Sequence, residues 1–348
     1  MALFPPKNPV PTPTPVPMPA VTKPSTLPPE DINRAKQLGT CIRARFAQTL
    51  VGQDNLRESL ITTLVAGGHI LIESVPGLAK TTAAQTLATS VSGSFKRVQC
   101  TPDLMPSDLV GTQVFDFATQ KFSTQIGPIH ANFVLLDEIN RSNAKTQSAM
   151  LEAMAEKQVS ADNISHPLDE LFFVIATQNP RDQVGTYPLP VAQLDRFLFK
   201  IVMEHIDREA ELDVLRSYKE RRKPPANDAF PAVTRSQVMA ARAAVDEQIH
   251  LAPAIQDCLV DIAQALRSSP QVAQGISTRS LVLMMPALQA AALLRDRGYV
   301  VGEDIEWLAP HVFGHRIELA PGVENARKVI KECCKPALEK LSRATLRP

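Results

Sequence analysis

Four apolar residues in succession, Phe133 to Leu136, stop abruptly at the acidic pair Asp137 and Glu138. A strand with one wet face alternates apolar and polar residues. An unbroken apolar run this short therefore marks a strand covered on both faces, as in parallel sheets flanked by helices. Two carboxylates where such a strand leaves the core need a reason, and a solvated loop start is the plain one.

A second segment upstream gives a chemical reason. His69 to Ile72 reads as another short buried strand, and Thr81 to Val91 as a helix, so Glu73 to Thr82 (ESVPGLAKTT) is a turn running into a helix N-terminus. Backbone N–H groups there point outward without partners and favour an anion. In the phosphate-loop pattern G-x-x-x-x-G-K-[ST], Lys80 would reach the outer phosphates and the Thr81 hydroxyl would ligate Mg²⁺. Ser74 and Ala79 stand where that pattern has its glycines, and neither adopts positive φ as cheaply. By itself the loop reads equally well as an ordinary Pro-Gly turn. Chain order favours chemistry: with a phosphate loop upstream, Asp137 can hold the magnesium while Glu138 takes the proton from an attacking water. A third apolar run, Leu171 to Ala176, ends in Thr177, Gln178, Asn179 and Pro180. The Asn179 amide there can orient the same water, although Asn before Pro is also a common turn former.

With these three segments in place, the chain resembles the AAA+ ATPases, and within them the MoxR branch. The resemblance rests on VPGLAKT (Val75–Thr81), TPDLMPSDLVG (Thr101–Gly111), GPIHANFVLLDEINR (Gly127–Arg141), QSAMLEAMAEKQVS (Gln147–Ser160), ATQNP (Ala176–Pro180) and TYPLPVAQLDRF (Thr186–Phe197), and it extends from about Leu50 to about Glu318. It implies an α/β fold, an AAA+ P-loop NTPase core with a parallel sheet followed by a smaller all-helical lid domain. It implies ATP and Mg²⁺ as ligands. The nucleotide would be held by Ser74, Val75, Pro76, Gly77, Leu78, Ala79, Lys80, Thr81 and Thr82, with Val51 and Gly52 lining the adenine pocket and the metal held by Thr81 and Asp137. Catalytic roles fall to Glu138, to Asn179 as first sensor, to Arg196 as an arginine finger given to a neighbouring subunit, and to Arg279 as second sensor. Ala79 before the lysine is usual in this branch, whereas Ser74 is not, and weakened nucleotide affinity is the expectation there.

The resemblance also implies a homo-oligomeric ring of six that remodels or activates a protein client, with a von Willebrand factor A domain protein as one class of partner. The alternatives are a nucleotide-gated binding switch with little turnover, or another AAA+ subgroup such as a chelatase or gas-vesicle subunit. Thr101 to Phe122 resembles an insertion lining the ring's central opening, and Val159 to Leu168 reads as a hairpin turning at Asp162 and Asn163. Without the family, Arg196 would read as a salt bridge to Asp195 or Asp207. Arg279 follows the N-cap Ser277 into the first turn of a helix, where a cation opposes the helix dipole.

Residue statistics bound the rest. Eleven prolines in the first 30 residues of 348 predict a disordered or polyproline-like leader over 1–32, whose simplest role is a flexible leader and whose PxxP segments could be read by a partner. An α/β core over 33–204 and a helical lid over 205–348 follow, the latter from apolar spacing such as Val238, Ala241, Ala244, Val245 and Ile255, Leu259, Ile262, Leu266. Lys219 to Asn227 reads as a charged, proline-broken linker. A net charge of +1 gives no electrostatic reason to expect nucleic acid. Five cysteines without C-x-x-C spacing read as reduced thiols, and with no long apolar run a soluble, cytoplasmic protein is expected. His311 and His315 read as solvated or capping residues, and Trp307 as lid core.

Overall fold

The computed structural model describes residues 29–75, 77–116, 120–161, 164–180, 186–221 and 233–345. Pro76, most of the expected leader, the Asp162–Asn163 turn and most of the charged linker lie outside them. In chain order the elements are α1 (Pro29–Thr49), α2 (Asp54–Val65), β1 (Ile70–Glu73), α3 (Lys80–Ser90), β2 (Phe95–Gln99), α4 (Pro106–Val110), β3 (Gly111–Asp116), β4 (Lys121–Ile126), β5 (Phe133–Asp137), α5 (Ala144–Glu156), β6 (Gln158–Ala161), β7 (Ile164–Pro167) and β8 (Phe173–Gln178). Then come α6 (Val191–Leu194), β9 (Phe199–Val202), α7 (Arg208–Arg216), α8 (Tyr218–Arg221), α9 (Arg235–Gln248), α10 (Pro253–Ser268), β10 (Val272–Gln274), α11 (Thr278–Leu294), α12 (Gly302–Phe313), β11 (Glu318–Leu319) and α13 (Ala326–Thr345).

The apolar strands assemble as their composition demands. A five-stranded sheet takes the order β2-β5-β8-β1-β9, with every pairing parallel. All five residues of β5 are buried, and β8 beside it and β1 beyond that are buried nearly throughout. Alternate side chains feed two separate cores. Ile70, Ile72, Phe133, Leu135, Phe173 and Ile175 join one cluster, while Leu71, Val134, Leu136, Val174 and Ala176 join the other. The Phe133 and Phe173 rings meet at 5.9 Å between centroids. Burying such a side chain stabilises the fold by roughly 2–3 kcal/mol.

The first cluster does not end at the sheet. It runs through α1, α2 and α3 into α9, α10, α11, α12 and α13, so the helical part shares one continuous core with a face of the sheet. Within that part the periodic residues of α9 and α10 are buried as their spacing requires. Two findings modify the expected organisation. Helix α1 begins at Pro29, inside the expected leader, because proline is well tolerated in a first helical turn. The helical part also carries a two-stranded antiparallel ladder, β10 with β11.

Two antiparallel hairpins leave the parallel sheet. β3 and β4 interrupt the path from β2 to β5, and β6 and β7 interrupt the path from α5 to β8. Met105, Val114, Phe115 and Ile126 on the first insertion are exposed apolar side chains. Among the described residues no helix is long and apolar enough to cross a membrane.

Candidate functional site

Because every strand of the sheet runs the same way, the C-terminal ends of β1, β8 and β5 lie side by side. Ile72 pairs with Thr177 and Leu136 with Ala176, which brings Glu73, Gln178 and Asp137 to one rim. β8 separates the other two strands, so the exits of β1 and β5 are about 10 Å apart at ordinary strand spacing. Crevices of this kind, outside the carboxyl ends of parallel strands, are where open α/β sheets take ligands.

The turn from β1 into α3 begins without strain. Ser74 continues the ladder, its N–H donating to Gln178 O at 3.1 Å, and its hydroxyl donates to Val75 O at 3.2 Å. Ser74 does not adopt positive φ, so no glycine is required where the pattern has one. Gly77 does use its freedom, at φ 89°, with open space where a Cβ would sit. The cost falls on Ala79, which caps α3 at φ 57°, ψ 26°. A left-handed alanine costs on the order of 1–2 kcal/mol. The residue that spends strain is therefore Ala79 and not Ser74. Helix α3 opens with Lys80 and Thr81, both half-buried, and neither has a hydrogen-bond or ion-pair partner among the described residues.

Across β8 the carboxylates are held differently from one another. Asp137 is buried, its Oδ1 accepting from Thr177 Oγ1 at 2.8 Å and its Oδ2 meeting Arg97 Nη2 at 2.6 Å. Glu138 follows at φ 59°, ψ 53°, a second non-glycine residue in the left-handed region. Its N–H donates to Thr177 Oγ1 at 2.9 Å, so one threonine hydroxyl fixes both acids. The Glu138 carboxylate accepts from Gln99 Nε2 at 3.2 Å and pairs with Arg141 Nε at 3.2 Å. Left-handed non-glycine backbone thus occurs at the exits of both β1 and β5, and such strain clusters at functional sites. Beside them the Cys100 thiol is pushed up to about 12 by burial, assisted by the two acids, and stays protonated.

Asn179 is buried just past β8, its carbonyl accepting from Asn140 Nδ2 at 3.4 Å. The loop after β5 is clamped by Gln147, whose amide nitrogen donates to Ile139 O, Ser142 O and Tyr187 O at 3.1, 3.1 and 2.9 Å. At the other edge, the Val51–Gly52 turn packs against the chain leaving β9. Gly52 has φ 67°, and a Cβ there would come within 2.9 Å of Ala210 and Ile206. Gln53 Nε2 donates to Glu204 O at 3.3 Å.

The two candidate arginines sit apart from the crevice floor. Arg196 is exposed and bonds neither acid proposed from sequence: its Nη1 donates to Leu151 O at 2.8 Å, within α5. Asp207 instead caps α7, accepting from Ala210 N. Asp195 is taken by the helical part, at 2.7 Å from Arg316 and 3.4 Å from Arg279. Arg279 does lie in the first turn of α11, whose N-cap Ser277 accepts from Ser280 N. Asp195 offsets the unfavourable placement of that cation.

Profiles of known families match this architecture in two places. The ATPase family associated with various cellular activities (AAA) covers residues 69–199, and the AAA lid domain covers residues 264–333. Chaperone MoxR1 of Mycobacterium tuberculosis is 39% identical over 296 residues, 82% of this chain and 77% of its own. The chain belongs to the MoxR branch of the AAA+ ATPases. The uncharacterized protein YeaC of Bacillus subtilis is 40% identical across 86% of this MoxR chain and 94% of its own. A solved structure of a candidate ATPase from Cytophaga hutchinsonii superposes with a TM-score of 0.80 at 35% identity, covering 88% of this chain and 96% of that one. The α/β core with a parallel sheet and a C-terminal helical lid is the fold of the family.

Several residues at the site of this MoxR protein escaped sequence reasoning. Arg97, Gln99 and Arg141 contact the acidic pair, and Thr177 links its two members. Glu73 adds a third carboxylate at the rim, at 2.5 Å from Lys200 and accepting from Gln178 Nε2 at 2.9 Å. The available signal was the strand FKRVQ, whose Arg97 and Gln99 are two apart and so share a face. Reading it required knowing that β2 lies next to β5.

The expectation for the two histidines fails. His311 and His315 are buried, His311 stacked on Phe199 and His315 bonded through Nε2 to Phe197 O at 2.9 Å. Phe199 of β9 and Trp307 of α12 pack against His311. Trp307 is half-buried at the junction of lid and core, where Arg295 lies 4.8 Å over its ring and its Nε1 donates to Asn55 Oδ1 at 3.4 Å.

Proposed function

We propose that this MoxR protein binds ATP at the exit of β1 and hydrolyses it, working in the cytoplasm as a ring of six copies that remodels or activates a protein client. The division into a core over 33–204 and a lid over 205–348 belongs to the same proposal. One observation carries the reading. Lys80 and Thr81, whose side chains have no partners among the described residues, open α3 just after the exit of β1, and the rim of the same sheet carries Asp137 and Glu138, joined through the Thr177 hydroxyl.

Asp137 and Thr81 offer a carboxylate and a hydroxyl, and an oxygen-only donor set fits Mg²⁺. When bound, that cation would neutralise charge on the phosphate oxygens. The chain's own groups account for the remaining steps. The unpaired N–H groups at the start of α3 and the Lys80 ammonium bind the phosphates. Glu138 accepts a proton from water, and the Asn179 amide orients that water. Arg196, given to the neighbouring copy, stabilises charge on the transferring group, an effect of about 10³ to 10⁵ in rate in other enzymes. Its exposure and its bond to a main-chain carbonyl of α5 suit a group that changes partners on assembly. The exposed hairpin β3–β4 supports a client-facing role, and the chaperone among the relatives supports a protein client.

Phosphate release by the purified chain tests the reading. Wild type should release phosphate, Glu138→Gln should bind ATP without release, and Lys80→Ala should lose binding. A wild type that binds ATP yet never releases phosphate would favour a nucleotide-gated switch, and retained ATP affinity in Lys80→Ala would remove the phosphate-loop assignment.

A further inference from the structure

Arg97 lies on β2, an edge strand of the sheet, and its guanidinium serves both sides of the acidic pair. Its Nη2 meets Asp137 Oδ2 at 2.6 Å and donates to Gln99 Oε1 at 3.2 Å. With Thr177 on the other oxygen, both Asp137 oxygens are engaged by protein. The Asp137 side chain is 11% exposed and that of Arg97 49%, so the arginine stands between the carboxylate and solvent.

We propose that Arg97 is a positioning residue that competes with the divalent cation for Asp137 and thereby sets the cation affinity of the site. The inference rests on the reading of Asp137 as a metal ligand. Its physical basis is direct, because a carboxylate oxygen already neutralised at 2.6 Å by a guanidinium is a poorer cation ligand until the guanidinium leaves. A second consequence follows from Gln99. While its Oε1 accepts from Arg97, its Nε2 faces Glu138 and donates to Oε2 at 3.2 Å. The same arginine therefore restrains the ligand carboxylate directly and the proton acceptor through one amide. Releasing Arg97 from Asp137 opens Oδ2 while Thr177 keeps Oδ1, and it leaves the Gln99 amide oriented by Glu138 alone.

The test measures Mn²⁺ affinity by electron paramagnetic resonance in the presence of saturating non-hydrolysable ATP analogue, together with analogue affinity in EDTA. A partly exposed ion pair is worth roughly a two- to fivefold change in an equilibrium constant. Arg97→Gln and Arg97→Met should bind Mn²⁺ about two- to fivefold more tightly than wild type, with analogue affinity in EDTA unchanged. Arg97→Lys, which keeps the charge, should stay near wild type. Equal or weaker Mn²⁺ binding in both neutral variants overturns the proposal. A wild type that binds analogue in EDTA but no Mn²⁺ overturns the metal-site reading and this inference with it.

Discussion

Lowering the pH from 7.5 to 5.5 should destabilise this protein by about 3 kcal/mol through two buried histidines. Burial pushes His69 and His311 from 6.5 down to about 4, with nearby cations adding to the effect at each. His69 accepts from Val174 N through Nδ1 at 3.1 Å, and His311 stacks on Phe199, so the fold holds both rings neutral. Between pH 6.5 and pH 4 the unfolded chain binds protons that the fold refuses. The contribution is therefore complete above pH 6.5 and shrinks as pH falls toward 4. Each histidine should cost about 1.4 kcal/mol one pH unit below its unfolded pKa. His315 is pushed in the same direction by burial and adds to the trend. Urea unfolding followed by the fluorescence of Trp307, the one tryptophan, measures this at pH 7.5, 6.5 and 5.5. His311→Gln should lose about 1.4 kcal/mol of the pH-dependent part, whatever it does to stability at pH 7.5. A wild-type stability flat from pH 7.5 to 5.5 would refute the reasoning, as would an unchanged slope in His311→Gln.

Two further outcomes are expected. Arg316→Met should lower stability by about 3–5 kcal/mol, read from the urea midpoint, because it strips donors from Asp195 and from the carbonyls of Phe197, Leu198 and Val312; a loss below 1 kcal/mol would mean those carbonyls find water. Arg196→Ala should leave ATP affinity near wild type while slowing phosphate release, and mixing it with Glu138→Gln should restore part of the rate, since each defective copy then supplies what the other lacks; absence of rescue would place the arginine's action within one chain.

The three inner strands β1, β5 and β8 were legible in the sequence because they are buried on both faces, and such strands are written as unbroken apolar runs; the edge strands β2 and β9 lack that signature, since solvent reaches several of their residues. Phe133 to Leu136 predicted β5 to within one residue, and the third run was found although β8 starts two residues later and continues through Gln178. Segments read as helix were found where apolar spacing matched a buried stripe, as in α9 and α10. Backbone strain was legible only as a possibility. The sequence shows two non-glycine residues in the loop pattern, but only φ distinguishes Ser74, which carries no strain, from Ala79, which does. The contacts among Arg97, Gln99, Asp137 and Glu138 depend on strand order, and no local pattern encodes which strand lies beside which. The histidines of α12 were misread for a related reason: one-turn spacing gives a shared face but not what that face packs against.

Asp195 shows why the two parts of this chain are hard to separate energetically. It precedes Arg196 in the segment leading into β9 of the core sheet, yet its carboxylate is shared by Arg316 and Arg279 of the helical part. Arg316 is nearly fully buried and spends its remaining donors on carbonyls flanking β9, so it cannot leave without stranding polar groups. Arg279 is 68% exposed at 3.4 Å, a weak contact that can be given up cheaply. One carboxylate thus carries a fixed arginine and a releasable one. If Arg279 is released, Asp195 keeps its charge balanced by Arg316, and the segment bearing Arg196 stays anchored through the Arg316 bonds to the Asp195 and Phe197 carbonyls.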